Sequence, residues 1–201
     1  MEPKYVVRII REPLLGKAFE LMDAVVEQRA NMGIAEGVTT VSIAAPRMLI
    51  ITTTPYENLA DFQSRVDGIF ESDEARAGWD RVSALASSTV NNLSRVIVPP
   101  EDRETANFFQ RYVFTHDSSS RRSLIAALQE MNAQGAGPDF GISTSVSGSH
   151  VTATMAVDSL SELEEPWGRL AEDPGTMARA ANVLAHSTEW GSGIAKVISR
   201  P

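Results

Sequence analysis

The histidines are the first residues to consider for chemistry, because the 201-residue sequence has only three of them and no cysteine. His186 lies in the segment NVLAHSTEW, three residues before Glu189 and four before Trp190. If this segment is a helix, the three side chains share one face, since residues three and four apart are neighbours there. The spacing predicts a catalytic His186 beside a ligand that Glu189 and Trp190 contact. The alternative is a structural histidine at a helix end, packed by its stem.

The other two histidines lack the spacing of metal ligands. His116 precedes a polar cluster and His150 follows the turn segment SGS, so we expect both to be exposed in loops. There is no HExxH motif, and the absence of cysteine excludes thiolate nucleophiles and cysteine-based zinc sites. The sequence therefore predicts no metal site and no bound cofactor.

Two arginines each interrupt an apolar strand pattern, Arg8 in YVVRIIRE and Arg111 in NFFQRYVF. A buried guanidinium must find a charged partner or reach a polar cavity, because burying it alone is costly. One hypothesis is a structural ion pair with a helix carboxylate such as Glu27 or Glu130. The other is an anchor for an acidic or phenolic ligand, with Arg111 catalytic and Arg8 binding the ligand.

Three aromatic residues complete the candidate site. Tyr112 lies on the strand face opposite Arg111, and Trp167 stands where the matching earlier segment has Gln63. Core packing is one expectation for such residues. The other is a ligand pocket that they form with Trp190, an apolar cavity with a few polar groups.

Hydrophobic patterns predict the elements that must position these side chains. A helix is predicted from Pro13 to Met32, a second opens at Thr54-Pro55, a third follows Ser72-Asp73 and carries Ala86, and a fourth follows the N-cap cluster of residues 117–120. The predicted strands are residues 5–12, 37–44, 47–54, 93–98 and 107–114. Pro99-Pro100 and the charged residues after them predict a linker.

The same plan occurs twice in the chain. ENLADFQSRV, residues 57–66, matches SELEEPWGRL, residues 161–170, and GVTT at 37–40 matches GIST at 141–144. We therefore predict two repeats, residues 1–100 and 101–201, each with the order strand, helix, strand, strand, helical segment, strand. The predicted fold class is α+β, with two tandem ferredoxin-like βαββαβ units packed sheet to sheet.

Softer motifs point to a known superfamily. FESDEARAGW at 70–79 and AEDPGTMARA at 171–180 share an aspartate followed by a short helix, and RYVF at 111–114 is similar to the first strand of NIPSNAP-type proteins. The chain thus resembles the dimeric α+β barrel superfamily, which includes antibiotic-biosynthesis monooxygenases and haem-degrading monooxygenases. In the haem-degrading branch the iron ligand lies within the helix after this step, and the matching positions here are Trp79 and Ala180.

The resemblance implies a pseudo-dimeric α+β barrel and a small-molecule enzyme. The expected activity is that of a cofactor-independent monooxygenase, or of an isomerase or cyclase, on a compact apolar or aromatic substrate. A non-catalytic ligand-binding or assembly protein is the main alternative, and a haem-binding protein is the third hypothesis. Because one fold hosts many activities, only the site can decide among them.

Charge and composition limit the partners. Eighteen basic and 26 acidic residues give a net charge of −8, and no Lys/Arg cluster is present to bind phosphates, which argues against nucleic acid. The same charge disfavours an anionic membrane surface. The opening MEPKYVVRIIREP carries charges within its apolar run, which is typical of neither a signal peptide nor a membrane span. We expect a cytoplasmic protein with a small-molecule ligand, and a homo-oligomer remains open.

Overall fold

The computed structural model describes residues 3–34, 36–45, 47–100, 106–134 and 139–200. The chain divides into two compact units, the first formed by Met1–Ser94 with Val197–Pro201 and the second by Arg95–Lys196. Both combine antiparallel strands with helices, so the predicted α+β class is confirmed.

The first unit contains seven elements, which are β1 (Tyr5–Pro13), α1 (Ala18–Asn31), β2 (Val38–Ala44), β3 (Ile50–Tyr56), α2 (Leu59–Glu71), α3 (Asp73–Ser83) and β4 (Ala86–Val98). Its strand order is β4-β1-β3-β2. Thr53 of β3 lies opposite Arg8 on β1 and opposite Val38 on β2. The core forms where the apolar stripe of α1 packs on the sheet and α3, with Leu21, Val25, Ile50 and Val82 buried.

The second unit repeats this order with β5 (Phe108–Thr115), α4 (Arg121–Ala133), β6 (Gly141–Ser145), β7 (His150–Val157), a 3-10 helix (Leu160–Leu163), α5 (Glu164–Glu172), α6 (Pro174–Ala185) and β8 (Glu189–Ser199). Its strand order is β8-β5-β7-β6. Leu124 and Leu128 of α4 pack against Phe114, Val151 and Val183 in its core. The sheets therefore have equivalent strand orders, and each is covered by its own helices.

Two helix starts differ from the prediction. Pro13 completes β1, and α1 begins only at Ala18, after a turn in which Gly16 adopts a φ of 76°. Thr54 and Pro55 belong to β3 and do not open α2. That helix is instead capped by Asn58, whose Oδ1 accepts the Asp61 N–H at 3.0 Å.

β4 is longer than predicted, because it begins at Ala86 and not at Leu93. Its first residues, ASSTVNN, are polar and largely exposed, so they lack the apolar alternation that identifies a strand. Ala86 was predicted on the third helix, which ends at Ser83. The correction moves Ala86 from a helical stripe to a strand start.

The N-cap cluster of residues 117–120 also acts differently from the prediction. α4 starts directly after it, but Ser120 makes no side-chain capping bond, and the turn is closed by the Ser120 N–H donating to the Asp117 carbonyl at 3.0 Å. Helices α3 and α6, each the last helix of its unit, do have side-chain caps. Ser72 accepts from the Ala75 N–H, and Asp173 accepts from the Thr176 N–H.

The sheet-to-sheet packing of two ferredoxin-like units and the repeat boundary between residues 100 and 101 stay predictions.

In the described ranges, no helix is both long and apolar enough to cross a membrane.

Candidate functional site

A cavity of about 280 Å³ lies in the second unit, between its sheet and helices α4, α5 and α6. We call it the second-unit cavity. Its walls are almost entirely apolar and aromatic, with lining residues Tyr112, Phe114, Leu128, Met131, Asn132, Phe140, Ala153, Met155, Pro166, Trp167, Leu170, Thr176, Ala180, Val183, Leu184 and Trp190. Such walls suit a ligand whose surface is mainly hydrocarbon.

Three uncharged polar side chains of the lining are hydrogen-bonded within the protein, and two of them, Asn132 and Thr176, fix the ends of helices. The Asn132 amide donates to the Phe140 carbonyl at 3.1 Å and accepts the Phe140 N–H at 3.0 Å. The Thr176 hydroxyl accepts from Arg179 at 3.0 Å. These bonds fix the ends of α4 and α6, and they leave few groups free to orient a ligand.

The third polar group is the Tyr112 hydroxyl, which is the candidate for orienting a ligand. The Trp167 indole N–H donates to this oxygen, so the phenolic O–H can still donate to another acceptor. Burial raises the pKa of Tyr112, and the hydrogen bond from Trp167 opposes part of that rise. Tyr112 is therefore a neutral hydrogen-bond donor at neutral pH.

Three predicted ligand-binding residues, Tyr112, Trp167 and Trp190, come together on this cavity. Trp190 lies on β8 opposite Phe114 of β5. Glu189, the residue before it, is exposed and is not among the lining residues, because neighbouring side chains on a strand point to opposite faces.

The predicted helical arrangement of His186, Glu189 and Trp190 is wrong. α6 ends at Ala185 with His186 as its C-cap, and the His186 N–H donates to the Val183 carbonyl at 3.2 Å. The Thr188 N–H then donates to Thr115 of β5 at 2.8 Å, so the chain joins the sheet at once. His186 is half-buried and lies outside the described lining of the cavity. A catalytic role for it stays a prediction.

Arg111 and Arg8 lie on the strand faces opposite the cavities of their own units. Arg111 is 9% exposed, and its guanidinium lies 5.4 Å from the Phe109 ring centre. Burial lowers the pKa of Arg8 to about 10. Glu27, one of the two predicted ion-pair partners, is paired with Arg81 at 2.7 Å. An ion pair between a helix carboxylate and Arg8 or Arg111 stays a prediction.

The expectation of exposed loop positions is wrong for His116. His116 is only 4% exposed. Its backbone N–H donates to the Ser149 carbonyl at 2.9 Å, which extends the strand pairing beyond β5. Its Nδ1 lies 2.9 Å from the Asp117 carbonyl oxygen. His150 is the first residue of β7 and is half-buried, so it is a strand residue at the turn.

A second cavity, of about 550 Å³, lies in the first unit and differs in charge. We call it the first-unit cavity. Its lining includes Arg11, Arg29, Arg65 and Tyr56 along with apolar residues. These arginines were not predicted from the sequence, where only Arg8 of this strand was a candidate. Strand alternation places Arg11 on the other face of β1, with Val7 and Ile9.

The residues for a metal or haem site are sparse in the described part of the chain. No group of three His, Asp or Glu side chains lies close enough together to hold a metal ion. Neither cavity has a histidine among its described lining residues.

Fold and cavities together define a class, an α+β protein with small-molecule-sized cavities between its sheets and helices. No protein-family model and no curated protein matches the chain. The chain is similar over almost its full length to several solved structures, among them the following three. The first is an anthrone oxidase-like protein, with a TM-score of 0.69, 14% identity, and coverage of 99% of this chain and 92% of the other.

The second is a candidate monooxygenase from Fusobacterium nucleatum subsp. nucleatum ATCC 25586, with a TM-score of 0.74, 7% identity, and coverage of 99% and 94%. The third is a monooxygenase-like protein from Listeria innocua, with a TM-score of 0.53, 10% identity, and coverage of 99% and 96%. These likenesses show that the chain has the fold of these structures, and at the level of the fold the predicted resemblance is confirmed.

Proposed function

We propose that the protein is a cofactor-independent monooxygenase that acts on a compact, ring-containing substrate in the second-unit cavity. The observation that carries the proposal is the composition of that cavity, where Tyr112 is the one titratable group among the described lining residues. Apolar and aromatic side chains surround this single phenol, so a ligand is held by its rings and oriented by one hydrogen bond.

The size of the cavity supports a small ligand. Its volume of about 280 Å³ is near the lower end of the roughly 300–1,000 Å³ that is usual for ligand sites. Two or three fused rings fill such a space. Trp167 and Trp190 are both partly exposed at 41% and 56%, so they form a wall that an entering ligand can reach.

The chemistry that fits this wall is oxidation of a substrate that ionises easily by itself. A ring CH₂ that is conjugated to a ketone through an aromatic ring loses a proton to water and forms an enolate, whose oxygen the Tyr112 O–H stabilises. Dioxygen then adds to the carbon. One oxygen atom stays as a new carbonyl and the other leaves as water, so CH₂ and O₂ become C=O and H₂O. The similar structure named anthrone oxidase-like supports this substrate class.

The alternatives have less support from the described residues. An isomerase or cyclase needs an acid and a base at one site, and the described lining has only Tyr112 for both roles. A haem site lacks a histidine in either cavity lining. A non-catalytic binding protein is the second candidate, and it is favoured by this same absence of an acid–base pair.

Blocking the cavity tests the proposal. Ala180 lines the cavity from α6, whereas Ala178 is exposed on the same helix, so Ala180→Phe and Ala178→Phe form a matched pair. We expect anthrone to quench tryptophan fluorescence and to drive oxygen uptake in the wild type and in Ala178→Phe. Ala180→Phe should lose both signals by about tenfold or more, since the added ring fills the binding space.

Each outcome discriminates between the hypotheses. Binding without oxygen uptake would replace the monooxygenase by the binding protein. Equal signals in Ala180→Phe and Ala178→Phe would place any activity outside this cavity and contradict the proposal. Tyr112→Phe should keep binding within about threefold and lower the oxygen-uptake rate by about tenfold to a hundredfold, since it removes one donor to the enolate oxygen.

A further inference from the structure

Four arginines line the first-unit cavity. Arg76 is paired with Asp73, and the other three come from three different elements. Arg11 comes from β1, Arg29 from α1 and Arg65 from α2. Arg11 is only 2% exposed and Arg29 is 7% exposed, so these charges are held away from bulk water. A buried cluster of like charges is costly unless an anion compensates it.

Their hydrogen-bond partners are all neutral. Arg11 donates to the Thr52 hydroxyl at 3.4 Å, and Arg65 donates to the Met32 carbonyl at 3.2 Å. Arg29 donates to the Glu36 carbonyl at 2.8 Å and to the Thr54 hydroxyl at 3.4 Å. In the described ranges, no carboxylate forms an ion pair with any of the three. Asp80 is the one carboxylate among the described lining residues, so the arginines outnumber it and an anionic ligand can compensate the excess positive charge.

The arginines also act on one another. Burial lowers the pKa of Arg11 to about 10, and the charge of Arg29 contributes to this change. The pKa of Arg29 is also lowered by burial, while Tyr56 opposes the shift and Arg65 adds to it. The charges are thus close enough to repel, and an anion placed among them would relieve that repulsion.

The cavity also has an apolar part, and it is large enough for a ring system. Val7, Ile9, Phe62 and Ile69 line it, and the Arg11 guanidinium lies 5.8 Å from the ring centre of Trp79. A ligand with one anionic end and an apolar body satisfies both parts of this lining. A planar carboxylate matches the fork geometry of a guanidinium, which can donate two parallel hydrogen bonds to it.

We propose that the first-unit cavity is a second ligand site, which binds ring-containing carboxylates through Arg11, Arg29 and Arg65. The site is independent of the monooxygenase proposal, because it lies in the other unit and uses other residues. Phe114 and Asn132 lie 103 residues after Arg11 and Arg29, and both line the second-unit cavity. Arg11 and Arg29 therefore occur where the two halves of the sequence differ, whereas Arg65 has a counterpart in Arg169.

Calorimetric titration of the full chain with 2-naphthoate tests this proposal, with 2-naphthalenemethanol as the neutral counterpart. We expect the acid to bind at least about tenfold more tightly than the alcohol, because hydrogen bonds to a charged group dominate the difference. Arg29→Gln and Arg65→Gln should each weaken binding of 2-naphthoate by about tenfold or more.

Two controls are built into the chain. Arg81→Gln removes an exposed arginine that is paired with Glu27 on the surface, and Ala180→Phe blocks only the second-unit cavity. Both should keep 2-naphthoate affinity within about twofold, since exposed ion pairs contribute little. Thermal unfolding checks that each variant is folded, and the half-buried Arg65 gives a result if Arg29→Gln does not fold.

Several results would overturn the proposal. They are equal affinity for the acid and the alcohol, unchanged affinity in both folded arginine variants, or loss of 2-naphthoate binding in Ala180→Phe. Tighter binding of 2-naphthyl phosphate than of 2-naphthoate would also overturn it, because the site would then be one for phosphate esters. Preference for 2-naphthoate with loss in Arg29→Gln or Arg65→Gln would support it.

Discussion

Tyr112 shows how one residue acquires a role through its surroundings. Its backbone neighbour Arg111 carries a positive charge, but strand alternation turns Arg111 away and places the phenol on the cavity. Trp167 then donates to the phenolic oxygen and keeps its hydrogen available to a ligand. The face of Tyr112 could be predicted from the sequence because strand alternation sets it, whereas Trp190 was predicted on a helix and lies on β8.

The raised pKa of Tyr112 predicts a pH dependence of stability. In the unfolded chain this phenol loses its proton near pH 10, whereas in the folded protein burial keeps the proton on. Above pH 10 the unfolded state therefore binds fewer protons, and the free energy of unfolding falls as the pH rises toward the raised pKa of the folded protein. Below pH 10 this contribution is absent.

Thermal unfolding at pH 8 and pH 10.5 measures this effect. The wild type should lose more stability between these values than Tyr112→Phe, which has no phenol at this position. Tyr56 also has a pKa raised by burial, and it is present in both proteins, so it cancels in the comparison. Equal losses in the two proteins would show that Tyr112 titrates alike in the folded and unfolded states.

At the scale of the elements, the side-chain pattern predicted the order of strands and helices but not all of their ends. The order of strands and helices could be predicted because apolar periodicity marks each element. The start of β4 could not, since ASSTVNN is polar, and neither could the end of α6 before His186. There the strand pairing of Thr188 with Thr115 overrides a segment that is compatible with a helix.

Gly37, just before β2, carries the strictest backbone requirement among these elements. It has a φ of 97°, and a Cβ there would lie 2.1 Å from the Thr53 carbonyl oxygen on β3. Gly37→Ala should lower the free energy of unfolding by about 1–3 kcal/mol or more, because strain and a backbone clash combine.

Gly68 is the matched control for this substitution. It lies inside α2 with no atom within 4 Å of the position that a Cβ would take. Gly68→Ala should therefore raise the free energy of unfolding by about 0.5–1 kcal/mol, since alanine favours the helix. Urea denaturation of both variants measures the pair, and a Gly37→Ala protein as stable as the wild type would contradict the described β2–β3 geometry.

At the scale of the whole molecule, a repeated order of elements supports two different cavities. The second-unit cavity is lined by Phe114 and Asn132, and the first-unit cavity by Arg11 and Arg29 at the matching positions. The net charge of −8 gave no sign of a cationic cavity, because composition averages over the surface and the interior. The difference depends on which strand face and which helix face each arginine occupies, so it needed the structure.

A crystal structure of the protein with anthrone, kept free of oxygen, would show whether the second-unit cavity is the substrate site. We predict electron density for the rings between Trp167 and Trp190, with the ketone oxygen within hydrogen-bond distance of the Tyr112 hydroxyl. Clear density for anthrone elsewhere, with the second-unit cavity empty or collapsed, would contradict the account.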